Sequence, residues 1–247
     1  MQQEPRLNHV QCLDARGLHR MAYWEWGDPA NRRVLVCVHG LSRQGRDFDT
    51  LARALCADYR VVCPDVVGRG QSDWLADPAG YQLPAYVGDM VTLLARLDAT
   101  SVHWVGTSMG GLIGLGLAAL PKSPIERLVL NDVGPTIQAD AIARIGTYLG
   151  APIRWNSLEE AADYLWSISQ GFGPHSRNEW LALTRPMLKP DVPTAGRASS
   201  RITTRPSRCL FARSPPKPLP AARPRSGSCT TRSVCRPCCC AARSRTC

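Results

Sequence analysis

The chain has 247 residues, with 30 Lys+Arg against 20 Asp+Glu and a net charge of +10, a length that suits one domain. The charge does not describe a uniformly basic fold, because the last acidic residue is Asp191. With eleven Arg, one Lys and no acid, residues 192 to 247 carry +12, while the first 191 hold 18 basic and 20 acidic groups, a net of −2.

At the N-terminus, Met1-Gln2-Gln3-Glu4-Pro5-Arg6 lacks the basic-then-apolar order of a secretory leader, and no window approaches membrane-spanning length. Val10-Gln11-Cys12-Leu13 and Leu18 to Trp26 flank Asp14-Ala15-Arg16-Gly17, which predicts an antiparallel hairpin at a sheet edge. Val34 to Val38 is a continuous apolar run, as expected of a parallel strand buried on both faces, and His39-Gly40-Leu41-Ser42 follows it. Leu51 to Cys56 has apolar residues at helical spacing. Val61-Val62-Cys63 then leads into Pro64-Asp65-Val66-Val67-Gly68-Arg69-Gly70-Gln71-Ser72. A second helical stretch, Tyr86 to Leu97, precedes the strand Val102-His103-Trp104-Val105.

Directly after that strand stands Gly106-Thr107-Ser108-Met109-Gly110-Gly111, and Leu112-Ile113-Gly114-Leu115 continues as a helix. A serine between strand and helix is held on a sharp turn, its hydroxyl above the sheet and the following amides at a helix N-terminus. Leu128-Val129-Leu130 ends in Asn131-Asp132-Val133-Gly134. The alternation of strands and helices predicts βαβ units around a parallel sheet. Ligands of such sheets sit outside the carboxyl ends of the strands, where each of these loops falls. Ala139 to Tyr148, Leu158 to Ile168 and Asn178 to Met187 read as further helices, with Ser157 and Glu160 spaced as a capping box.

The His-Gly loop, the Pro-Asp-x-x-Gly-x-Gly-x-Ser turn, the Gly-x-Ser-x-Gly turn and the Asn-Asp strand end occur in that order. On these motifs, residues 8 to 190 resemble the α/β-hydrolase superfamily, in its Gly-x-Ser-Met-Gly-Gly esterase- and lyase-like branch. The resemblance implies an α/β-hydrolase fold: a mostly parallel central sheet, helices on both faces and a helical lid. Residues 8–135 would be the core, 136–191 a partial lid, and 192–247 a disordered tail standing where the last strands belong. It implies Ser108 as nucleophile, with the Met109 and Leu41 backbone N–H groups as oxyanion donors. His39 would shape its loop without acting as base, and Asp65 and Arg69 would order their turn. The triad acid is either Asp132 or an aspartate after the next strand. Trp166, Phe172 and Trp180 either line an apolar pocket or pack the lid.

The superfamily places its catalytic histidine late. Of His9, His19, His39, His103 and His175, only His175 follows Ser108, and Gly173-Pro174-His175-Ser176 reads as an exposed loop. The chain as given is therefore expected to be inactive or nearly so. The implied substrate is a small-molecule carboxylic ester or a related acyl or C–C compound. Acyl transfer or haloperoxidase chemistry on the same elbow is an alternative within the fold, and a non-enzymatic binding protein with a basic tail is one outside it. Dehalogenase- and epoxide-hydrolase-like relatives carry aspartate where Ser108 stands. No phosphate-cradling or dinucleotide motif is present, so no cofactor, specific nucleic acid or membrane partner is implied. Four scattered cysteines before residue 192 suit the cytoplasm.

Three readings apply to the tail. It is a basic arm for polyanions, or a zinc module, or a translation of the same gene in a neighbouring frame. Cys235-Arg236-Pro237-Cys238 has ligand spacing, but Cys209 and Cys229 do not make a second pair. The frame reading explains more. With TGC for Cys238, Cys239 and Cys240, the neighbouring frame reads CTG CTG CTG, three leucines, and permitted codons continue it to LLLRGAQSDL at Cys247. Ile202 to Phe211 likewise permits HYDPAIAVPF. One event would account for the missing acids, the arginine excess, the seven tail cysteines and the lost periodicity.

Overall fold

The computed structural model describes residues 4–134, 154–190 and 202–203. Its centre is a six-stranded sheet of β1 (Arg6–Asp14), β2 (Gly17–Trp26), β3 (Arg33–Val38), β4 (Arg60–Pro64), β5 (Ser101–Thr107) and β6 (Ile125–Asn131). The strand order is β1-β2-β4-β3-β5-β6. β1 and β2 form the expected edge hairpin and β2 joins β4 antiparallel, while β4, β3, β5 and β6 run parallel.

Three helices, α1 (Asp49–Leu55), α2 (Leu83–Leu97) and α3 (Met109–Ala118), cover the two faces. The strand period of two decides which side chain meets which helix. Val34, Val36 and Val38 of β3 pack with Trp104, with Met90 and Leu93 of α2, and with Ile113 and Leu117 of α3. The intervening Leu35 and Cys37 face the other way, towards Trp26, Val61, Cys63 and Ala52 of α1. Both faces of β3 are dry, which is why its sequence shows no polar alternation. α2 begins earlier than its apolar periodicity, because Pro84 suits a first helical turn, where a missing N–H breaks no bond.

From β3 the chain crosses to β4 on one side and later returns to β5 on the other. Strand order thus reverses between β3 and β5, and the crevice at their carboxyl ends is where open α/β sheets hold ligands.

After the sheet come β7 (Arg154–Trp155), α4 (Leu158–Ile168), α5 (Arg177–Thr184), β8 (Lys189–Pro190) and β9 (Ile202–Thr203), the three strands pairing in the order β7-β9-β8. Ser157 caps α4 by accepting the Glu160 N–H, but the Glu160 carboxylate reaches one residue further back than a capping box requires, to the Asn156 N–H. α5 carries the complete box, made by Ser176 and Glu179. It stops at Thr184 and continues as a 3-10 turn, Arg185–Met187, because Pro186 cannot extend the helix. α4 and α5 pack on each other through Ala162, Leu165 and Trp180. The helix expected over Ala139 to Tyr148 and the tail other than Ile202–Thr203 lie outside the described residues. No described helix is long and apolar enough to cross a membrane.

Candidate active site

Ser108 sits between β5 and α3 with φ 50° and ψ −114°, a conformation that L side chains avoid. Strain of this kind persists only where the surroundings impose it. The Ser108 N–H donates to the Asn131 carbonyl at 2.8 Å, and the Ser108 carbonyl accepts from the Gly111 and Leu112 N–H groups at 2.9 and 3.1 Å. The corner has no room for side chains. A Cβ on Gly106 would lie 2.4 Å from the Gly110 carbonyl, and one on Gly110 would lie 2.0 Å from the Val38 carbonyl oxygen. The glycines around Ser108 therefore let α3 start against the end of β3.

The loop after β3 closes the other side. A Cβ on Gly40 would touch the Ser108 Cβ at 3.7 Å, so His39-Gly40-Leu41 passes directly beside the serine. His39 is buried. Its Nδ1–H donates to the Gly40 carbonyl at 2.7 Å and its Nε2 accepts the Val66 N–H at 3.0 Å. Burial, helped by the Arg69 and Arg43 charges, holds its pKa down at about 3 against the pull of the Gly40 bond. His39 is thus a neutral tie between two loops. The carbonyl it grips shares one planar trans peptide with the Leu41 N–H, which must point the opposite way.

Neither the Leu41 nor the Met109 N–H donates to a protein acceptor among the described residues. Met109 opens α3, where backbone donors are unmet and the helix dipole is positive.

Arg69 braces both residues from behind, a role the sequence reading did not assign. Its Nε donates to the Leu41 carbonyl at 3.0 Å, and its Nη1 donates to the Val67 carbonyl at 2.8 Å and to Tyr86 Oη at 3.2 Å. Its Nη2 lies 3.8 Å from Met109 Sδ, and the guanidinium stacks over the Tyr86 and Tyr81 rings at 5.3 and 5.9 Å. The available signal was an arginine between Gly68 and Gly70, which both take positive φ. Asp65 begins that turn, accepting N–H groups from Gly45 (2.7 Å), Gln71 (2.8 Å) and Trp24 Nε1 (3.2 Å). Burial pushes its carboxyl up to about 6, opposed by those three donors and by Lys189.

Asp132 follows the residue whose carbonyl holds the Ser108 N–H. It is exposed, with φ 54°, and forms no hydrogen bond or ion pair with a histidine among the described residues. The histidines are engaged elsewhere: His19 with Asp89, His103 with Tyr59 Oη at 3.0 Å, and His175 with the Gly173 carbonyl at 3.0 Å. His9 is exposed on β1. The structure therefore gathers Ser108, Met109 and Leu41, and leaves Asp132 at the adjoining strand end without a base.

The aromatic residues of α4 and α5 chiefly pack on one another. Trp166 and Phe172 lie 5.0 and 6.2 Å from the buried Trp180, whose Nε1–H donates to the Ala162 carbonyl at 2.7 Å. Phe172 is half-exposed and sits 5.5 Å under the Arg43 guanidinium, and Lys189 Nζ donates to the Gly70 carbonyl at 2.6 Å. These contacts join the segment to the loops beside Ser108.

Residues 33–156 match the family model of the alpha/beta hydrolase fold. A 3-hydroxybutyrate-oligomer hydrolase of Cupriavidus necator is 62% identical over 196 residues, 79% of this chain and 67% of that protein. The chain spans about two fifths of the length of the next curated relatives. Among solved structures, a putative hydrolase from Rickettsia typhi superposes with a TM-score of 0.75 at 29% identity, covering 83% of this chain and 74% of that one. An alpha/beta hydrolase from Novosphingobium aromaticivorans gives 0.72 at 30% identity, covering 90% and 74%.

Proposed function

The chain belongs to the α/β-hydrolase fold family and is a hydrolase, and from that premise we propose that Ser108 is its nucleophile towards carboxylic esters. The observation that carries this reading is the Ser108 backbone, held at φ 50° and ψ −114° beside Gly40 and the first turn of α3. A general base takes the Oγ proton as Oγ attacks the acyl carbon. Negative charge then grows on the carbonyl oxygen, and the Leu41 and Met109 N–H groups meet it. Such a donor contributes about 3–4 kcal/mol when charge develops against it. The alkoxide leaves with the proton, and water repeats the sequence on the acyl-serine to release the acid. His39 aims the Leu41 peptide, and Arg69 steadies Leu41 and Met109 together.

The substrate class comes from kinship. The Cupriavidus necator relative is named for oligomers of 3-hydroxybutyrate, and this chain is assigned the same class, short linear oligoesters of 3-hydroxy acids.

The final triad acid belongs, in this proposal, to the neighbouring reading frame of the tail, and the base, by the superfamily order, to codons that follow it in that frame. The acid-free tail occupies the last 56 of 247 residues, and the 62%-identical alignment is 196 residues long. The rebuilt frame sets an aspartate at the position of Thr246, and Asp132 is the alternative acid. The chain as given then lacks its base, and loss of a triad member costs about a millionfold in turnover.

The test is to sequence the codons from Arg185 onward in all three frames and to assay the frame-restored protein. It should hydrolyse a p-nitrophenyl ester and 3-hydroxybutyrate trimer and react with a fluorophosphonate at Ser108. Ser108→Ala should lower kcat by about a millionfold. Labelling at another residue would overturn the serine assignment. Nitrophenyl ester hydrolysis with the trimer left intact would overturn the substrate class alone.

A further inference from the structure

Cys12 of β1 and His19 of β2 are register partners across the hairpin, and Asp89 of α2 meets them from the helix side. His19 Nε2 lies 3.1 and 3.0 Å from the two Asp89 carboxylate oxygens, and Cys12 Sγ lies 4.0 Å from the Asp89 main-chain carbonyl. One ligand atom from each of the three residues falls within 4.8 Å of the other two. The residues are 1, 6 and 3% exposed. Among the described residues no hydrogen bond joins this cluster to Ser108, Leu41 or Met109.

A buried His–Asp contact alone is an ordinary tie between strand and helix. Two observations go further. His19 Nδ1 is buried and has no hydrogen-bond partner. With Nε2 at Asp89 and Nδ1 unpartnered, the ring is held from its Nε2 side alone. The third corner is a thiol, so the cluster offers sulfur, nitrogen and oxygen, a donor set that suits a borderline-soft divalent ion. A groove of about 550 Å³, lined by His19, Arg20, Gln71, Asp73, Trp74 and Lys189, lies beside the cluster.

We propose that Cys12, His19 and Asp89 form a binding site for a divalent ion of the zinc class, which clamps the edge hairpin to α2. On binding, the Cys12 thiol releases its proton to water. The Nε2 proton of His19 moves to Nδ1; the thiolate, His19 Nε2 and the Asp89 carboxylate become ligands, and a water completes four-coordination. Tetrahedral zinc with bonds of about 2.0–2.3 Å sets its ligands roughly 3.3–3.6 Å apart. The cluster therefore needs to contract by about an ångström, within reach of side-chain rotation.

The test uses the full-length chain with Cys209, Cys229, Cys235, Cys238, Cys239, Cys240 and Cys247 each changed to serine, so that tail thiols do not compete. Titration with Co²⁺ should show one equivalent bound with a sulfur-to-cobalt charge-transfer band, displaced by one equivalent of Zn²⁺. Cys12→Ser should abolish the band, and Asp89→Asn should weaken binding by about tenfold or more. No band, or a band that survives Cys12→Ser, would overturn the proposal. X-ray absorption of the zinc-loaded chain needs no substitution at the site and should find one sulfur ligand. A sulfur-free shell would overturn the proposal even where Cys12→Ser does not fold.

Discussion

At His39 both ring nitrogens are committed to main chain, and the consequence is a measurable pH dependence. The unfolded imidazole titrates near 6.5 and the folded one at about 3. Between those values the unfolded chain holds the extra proton, so this contribution rises with pH and is lost as pH falls below about 6.5. Its slope approaches about 1.4 kcal/mol per pH unit. Asp65 runs the other way. Its folded carboxyl titrates at about 6 against 3.8 unfolded, so its contribution falls as pH rises through that interval. The two slopes oppose each other in wild type, and His39→Gln removes only the first. The stability difference between wild type and His39→Gln, from urea midpoints, should widen from pH 4 to 6. A difference that stays constant or narrows would mean His39 is not a buried neutral group.

Between elements, the decisive contact is α3 against β3. Alanine is the better helix former by about 1 kcal/mol, so propensity alone makes Gly110→Ala stabilising. The added Cβ would lie 2.0 Å from the Val38 carbonyl oxygen, which is main chain and cannot swing aside. Overpacking of this kind costs about 1–3 kcal/mol, and the contact should win. Gly110→Ala should lower the urea midpoint, and in the frame-restored protein it should also lower kcat, because Ser108 rides on the same turn. An increase in stability would refute the close approach. The hairpin β1–β2 is a second junction of this kind, since Asp89 of α2 meets both Cys12 and His19.

For the molecule as a whole, the edge strand β6 is the liability. Val129 is 55% exposed and Leu130 37%, on opposite faces of a strand that pairs only with β5 among the described residues. Uncovered apolar edges promote association, and a lysine on the edge blunts it. Val129→Lys should reduce light scattering at high protein concentration while changing stability by no more than about 0.5 kcal/mol. Unchanged scattering would place the sticking surface elsewhere.

The hairpin, the buried strands and the Ser108 corner were legible in the sequence, because each is written in neighbouring residues. A strand shows its period, and a tight corner its small residues. α2 began before its apolar periodicity, since proline sets a first turn that an apolar count does not see. The order β4-β3-β5 and the brace from Arg69 to Leu41 and Met109, 28 and 40 residues away, were not legible. Nor was the meeting of His19 with Asp89, 70 residues apart. Local propensity fixes what each segment becomes. Only the folded sheet, by burying both faces of β3 at once, decides which distant polar groups must find one another.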